Sequence, residues 1–213
     1  MGYMTWYRGK FTLNKPLDDE TYELLIGLAT TRRMQRDPKK LEEMGYGKAE
    51  CFGEEGEYFY NPNDFEEFGQ TWDDSILDYN NPPVTQPWLW LKWIPTEDRM
   101  AIEWNGERNT YYSELWIEYL VERVLKPRGY VLNGIVEAEG EWQCECQCTC
   151  DYYKDRCDCE CSGECVIDNW WIKVRNNHVS WTPSPRHGKP IRQQRHPLPS
   201  ECTVKNYLIK HFN

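Results

Sequence analysis

With 213 residues, 39% of them hydrophobic, and a net charge of −10, the chain has the size of one domain and the surface of an acidic protein. No apolar run approaches the roughly 20 residues a membrane-spanning helix needs. An acidic body also argues against ordinary binding along a phosphate backbone, which requires a basic face. The N-terminal MGYMTWYRGKF has no basic and apolar leader pattern and lacks Ser or Thr at the sixth position, so neither a signal peptide nor myristoylation is expected. The expectation is a cytoplasmic protein.

Met4 to Leu13 alternates aromatic and polar residues and predicts a first strand. Asn14-Lys15-Pro16 is a turn, and Asp18 or Asp19 can cap the helix that follows. Leu24, Leu25, Leu28 and Ala29, with Tyr22, recur at helical spacing and form its apolar stripe. Arg32, Arg33 and Arg36 stand at its C-terminal end, where cations complement the helix dipole, and an anion site is the alternative. Lys39 to Met44 predicts a short further helix.

Between Gly45 and Pro87 the periodicity dissolves into Gly, Pro, Asn, acids and rings. Residues 46 to 87 hold ten acidic residues against one Lys. So long a loop in a compact domain is usually functional or disordered. Tyr58, Tyr60, Phe65, Phe68 and Trp72 either pin it to the sheet or, with the acids, form a surface for a partner.

Trp88 to Ile94 is apolar on both faces and predicts a central strand covered on both sides. Thr96 to Arg99 is a turn, and Ala101 to Glu107 returns as its hairpin partner. Ser113 can cap a second helix, whose core stripe is Ile117, Leu120, Val121 and Val124. A row of Tyr112, Trp116 and Tyr119 flanks that stripe, and Glu114, Glu118 and Glu122 fall on the face assigned to solvent. Pro127 and Gly129 end the helix. Tyr130 to Glu139 is a further strand, and Trp170 to Thr182 supplies one or two more around Asn176-Asn177. The predicted fold is an α+β two-layer ferredoxin-like βαββαβ sandwich with an extra C-terminal hairpin. Residues 1–182 form the domain, and 183–213 a basic Pro-rich tail with a short terminal helix.

RRMQRDPKKL, QPWLWLKWIPTED and AIEWNGERNTYYSELWIEYLVERVLKPRGYVLNG together resemble a family of phage and bacterial proteins over about residues 2–141. The resemblance implies a phage or mobile-element accessory gene and brings no reaction and no catalytic residues. After Glu141 the chain departs from that pattern with a cysteine block.

Eight of the ten cysteines lie between 144 and 165. Cys144, Cys146, Cys148 and Cys150 alternate along one arm, Cys157, Cys159 and Cys161 along another, and Cys165 follows. Paired as strands, each arm would turn its thiols to one face. In a reducing cytoplasm the leading expectation is thiolate coordination of one or two Zn²⁺, of structural kind. The C-x-C spacing also admits Cu(I). Cross-strand disulfides in an oxidising setting, or free thiols at a hairpin tip, are the alternatives. Cys51 and Cys202 stand alone.

No G-x-G-x-x-G, P-loop, H-E-x-x-H or G-x-S-x-G occurs, and every His lies at or after His178, so no motif assigns a reaction. His187 and His196 belong to the basic tail. The leading expectation is a non-enzymatic binding or inhibitory protein that docks an acidic, aromatic surface on a basic host macromolecule, such as a defence or nucleic-acid-processing complex. Its contact residues would be Glu54, Glu55, Tyr58, Tyr60, Asp64, Phe65, Trp72, Asp73 and Asp74, since acids interleaved with rings suit a basic partner. A small-ligand or nucleotide pocket built from Arg32, Arg33, Trp90 and Trp104 is the second expectation. A metal or redox module centred on the cysteines is the third.

Overall fold

The stretch predicted as one first strand is bent at Gly9 into β1 (Thr5–Arg8) and β2 (Lys10–Leu13). Gly9 has φ +107°, and a Cβ there would stand 2.9 Å from the carbonyl oxygen of Ile135, so the bend needs glycine. The computed structural model of the protein describes residues 4–61, 71–107, 110–144 and 165–183. Asp64, Phe65 and Phe68, the cysteines from Cys146 to Cys161, and the tail with His187 and His196 lie outside the described residues.

The fold is mixed α+β, built on an antiparallel sheet with few helices. Its long strands are β7 (Leu132–Cys144), β8 (Cys165–Arg175) and β9 (His178–Pro183), numbered after β3 (Gln35–Arg36), β4 (Ile76–Asp78), β5 (Trp93–Pro95) and β6 (Ala101–Trp104). The sheet runs β5-β6-β2-β7-β8-β9, with β1 continuing β2 along the same edge of β7. β3 and β4 pair separately. Asn176 and Asn177 both adopt positive φ at the β8–β9 turn, the geometry that lets a two-residue loop follow the strands' twist.

α1 (Asp19–Thr30) starts where Asp18 accepts a hydrogen bond from the Thr21 amide. Its Leu24, Leu25 and Leu28 are buried against the sheet. α2 (Pro38–Glu43) is capped by Asp37. α3 (Ser113–Tyr119) continues through a wider π turn at Leu120–Leu125 and ends at Gly129, which has φ +74°. Trp93, Phe11, Ile102, Trp116, Leu120 and Val136 are fully buried in one cluster between the helices and the sheet. Each such side chain contributes on the order of 2 kcal/mol relative to exposure. Among the described residues no helix is long and apolar enough to cross a membrane.

Three sequence expectations are corrected. The predicted central strand at Trp88–Ile94 contributes only Trp93–Pro95 to the ladder, and at the sheet's end. Pro87 and Pro95 bound the segment, and the carbonyl of Leu89 accepts from the Arg33 amide rather than from a strand. Its alternation survives on one side only: Leu89, Leu91 and Trp93 are buried, while Trp88, Trp90 and Lys92 are half-buried. The residues from 45 to 87 are not uniformly irregular either. They include 3₁₀ turns at Ala49–Phe52 and Glu54–Gly56, strand β4, and Phe52 and Phe59, which form a small second core with Leu41 of α2. Finally, the helix face assigned to solvent is covered at Glu114, which is 5% exposed. The reason is Trp170 on β8, whose indole donates to the Glu114 carboxylate.

Candidate functional site

The segment Asn81-Pro82-Pro83-Val84-Thr85-Gln86-Pro87 carries too many prolines to join a ladder, and side chains hold it instead. Gln35 donates to the Pro82 carbonyl at 3.1 Å, and the Val84 amide donates to a Glu55 carboxylate oxygen at 2.8 Å. Gln86 is the pin. Its amide nitrogen donates to the Glu57 carbonyl at 2.7 Å and to the Tyr119 hydroxyl at 2.9 Å, and its oxygen accepts from Arg33 Nε at 3.1 Å.

Arg33 completes that knot. Its two terminal nitrogens donate to the carbonyls of Phe59 at 2.7 Å and Glu57 at 3.0 Å. Burial pushes its pKa down to about 10, so the guanidinium stays charged at neutral pH. The Glu57 carboxylate behind it is paired with Arg123 at 3.2 Å. Burial raises the pKa of Glu57, and Arg123 opposes that shift. Burial also lifts the Tyr119 hydroxyl well above its usual range.

Beside this pin a cleft of about 910 Å³ lies between the proline segment and α3, lined also by Asn177, His178 and Val179 at the β8–β9 turn. That volume lies within the range of ligand pockets. Trp88 on one wall packs against Tyr112 at 5.4 Å between ring centroids. Tyr112 enters α3 with φ +54°, a left-handed conformation costly for a bulky residue. On the helix wall, Glu118 is half-buried, and its carboxylate makes no hydrogen bond or ion pair among the described residues. Burial, then the charges of Glu114 and Glu122, push its pKa up to about 7. The other charged groups of the cleft are Glu122, bonded by Lys126 at 2.9 Å, and Arg123, tied to Glu57; the exposed His178 also lines it.

The residues predicted for partner contact fall into two sets. Glu54, Asp74 and Trp72 are exposed, Trp72 at 66% and stacked on Tyr79 at 5.9 Å. Asp73 is bonded to Arg36 and Ser75, Glu55 holds Val84, and Tyr58 and Tyr60 pack against the main core. Of the second predicted set, Arg32 lies over the rings of Tyr79 and Trp90, at 4.6 and 5.9 Å. Arg33 points into the interior knot, and Trp104 packs against Tyr7 at 5.6 Å. Of the cysteine block, Cys144 and Cys165 are register partners across β7 and β8, and Cys51 is exposed and free.

The cleft itself escaped sequence reasoning. One signal for it was present: Glu114, Glu118 and Glu122 follow one another at i, i+4, a like-charge row that weakens an isolated helix. Such a local conflict marks a site worth inspecting. Comparison with protein-family models, with curated proteins and with solved structures found no match.

Proposed function

We propose that the protein is a non-enzymatic binding protein that docks on a basic surface of a host macromolecule. The observation that carries this reading is the α3 cleft. Its carboxylate at Glu118 has no cation of its own among the described residues, and Glu122 stands one turn further along the same helix. The exposed Glu54 and Asp74 add to the acidic surface. A basic partner supplies the missing countercharge, steers its own approach, and loses affinity as salt rises. The resemblance to phage and bacterial proteins suggests an accessory gene, and a host defence or nucleic-acid-processing complex is the partner we propose for it.

The fold beneath is read as a ferredoxin-like βαββαβ sandwich. The order β5-β6-β2-β7, with α1 between β2 and β5 and α3 between β6 and β7, supports this. The functional reading is tested by purifying the protein and charge-reversed variants (Glu54→Lys with Asp74→Lys, and Glu122→Lys) from the same host background. The binary affinity of each identified partner is then measured against salt. Loss of affinity on charge reversal is expected. Partners that bind all variants equally at every salt concentration would sink the idea.

A second reading, a thiolate site for Zn²⁺ or Cu(I), is supported by the register that makes Cys144 and Cys165 partners. Native mass spectrometry of protein purified without chelator tests it. Added metal mass supports it, and a mass deficit from disulfide formation counts against it.

A further inference from the structure

The cleft's chemistry is more specific than an acidic patch. Two rings, Trp88 and Tyr112, stand in its walls together with the Glu118 carboxylate. Aromatic faces attract cations through their quadrupole, and more strongly when water is excluded. Arg123 is paired through Nε with Glu57, Lys126 is engaged by Glu122, and neither makes an ion pair with Glu118. A ligand that brings one positive charge on an apolar stem would neutralise Glu118 and lay the stem on the prolines and rings.

The β8–β9 turn and the first residues of β9 form one end of the cleft. β9 pairs with β8 alone among the described strands, so its other edge offers backbone groups to an extended chain. Resting on the basic-partner reading above, we propose that the cleft binds an extended peptide segment of the partner through an arginine or lysine side chain. Glu118 is its counter-ion, and Trp88 and Tyr112 are its aromatic walls.

Binding a cation draws Glu118 into its charged form, so the complex forms with release of a proton wherever the free carboxyl is protonated. Affinity for the cationic peptide therefore falls as pH drops below about 7 and levels off above it. The ionisable groups that share the cleft or its helix with Glu118 are Tyr112, Glu114, Tyr119, Glu122 and Arg123 at and along α3 and its continuation, and His178 from the β8–β9 turn. The His178→Gln variant is the control that leaves Glu118 as the only changed carboxylate candidate for the pH profile.

The test uses the full chain and short peptides with Arg at the centre and randomised flanks, against the same library carrying neutral citrulline. Free agmatine is the small-cation control. The arginine peptides are expected to bind on the order of tenfold more tightly than the citrulline set, the size of one charge-assisted hydrogen bond. Glu118→Gln should remove that difference and its pH dependence. Leu115→Trp, which fills the cleft, should block both libraries. Equal binding of arginine and citrulline peptides, or binding to neither, overturns the proposal, as does an unchanged preference in Glu118→Gln. Agmatine binding as tightly as the peptides overturns the assignment to a peptide. If Glu118→Gln and Leu115→Trp leave an identified basic partner bound while Glu54→Lys with Asp74→Lys releases it, the cleft proposal falls and the broader reading stands.

Discussion

Arg33 Nε donates to the Gln86 side-chain oxygen at 3.1 Å, joining the exit of α1 to the proline segment that walls the cleft. The same guanidinium holds the carbonyls of Glu57 and Phe59, so one buried cation fixes three stretches of chain that form no ladder with one another.

Replacing Arg33 with Met should therefore cost about 3 kcal/mol or more, because several buried acceptors lose their donor together. Arg33→Lys should also fail, since a single ammonium cannot reproduce the guanidinium fork. Urea denaturation checks this as a lowered midpoint at unchanged slope.

Glu118 should make stability fall with rising pH. Its pKa is raised to about 7 in the folded protein, from the ordinary glutamate value of 4.5. Between those two values the folded state holds the proton more tightly, so the penalty grows with pH and is constant above about 7. Glu118→Gln should gain stability over the parent as pH rises from 5 to 7, and the gap should then stay level. Melting curves of both proteins across that range decide it.

Glu114 and Trp170 should be coupled. Burial raises the Glu114 pKa, and hydrogen bonds, among them one from the Trp170 indole, oppose the rise. Trp170→Phe should cost about 1–3 kcal/mol by stranding the carboxyl, whereas Glu114→Gln keeps an acceptor and should cost less. In a double-mutant cycle the two changes should be non-additive.

Gly27→Ala should destabilise although it lies within a helix. Alanine's propensity favours the change by roughly 1 kcal/mol. A Cβ at that position, however, would sit 2.3 Å from the Tyr60 ring, and overpacking of this kind costs about 1–3 kcal/mol. Adding Tyr60→Ala should relieve the clash and uncover the helix preference, which thermal denaturation of the three variants would show.

Legibility followed sequence distance. The Asp18 cap, the α1 stripe, the Gly129 stop and the Asn176-Asn177 turn depend on neighbouring residues and could be read directly. The fate of Trp88–Ile94 depended on Arg33, more than fifty residues earlier, and no periodicity encodes that contact. Glu118 looked like a solvated helix carboxylate, because the segment that half-buries it has no pattern of its own. Asp73 illustrates the same limit: as one of an acidic pair it suggested a surface, yet its partner is the nearly buried Arg36.

β7 receives β1 and β2 along one edge and β8 along the other; β2 also pairs with β6, but β1 finds its strand partner only well over a hundred residues later. Thr5–Arg8 thus leaves the ribosome without the strand it pairs with. At ordinary elongation rates the wait for Leu132–Cys144 is about ten seconds. Closing so long a span is entropically slow, so β1 stays an unpaired strand, open to chaperones, until β7 has been made.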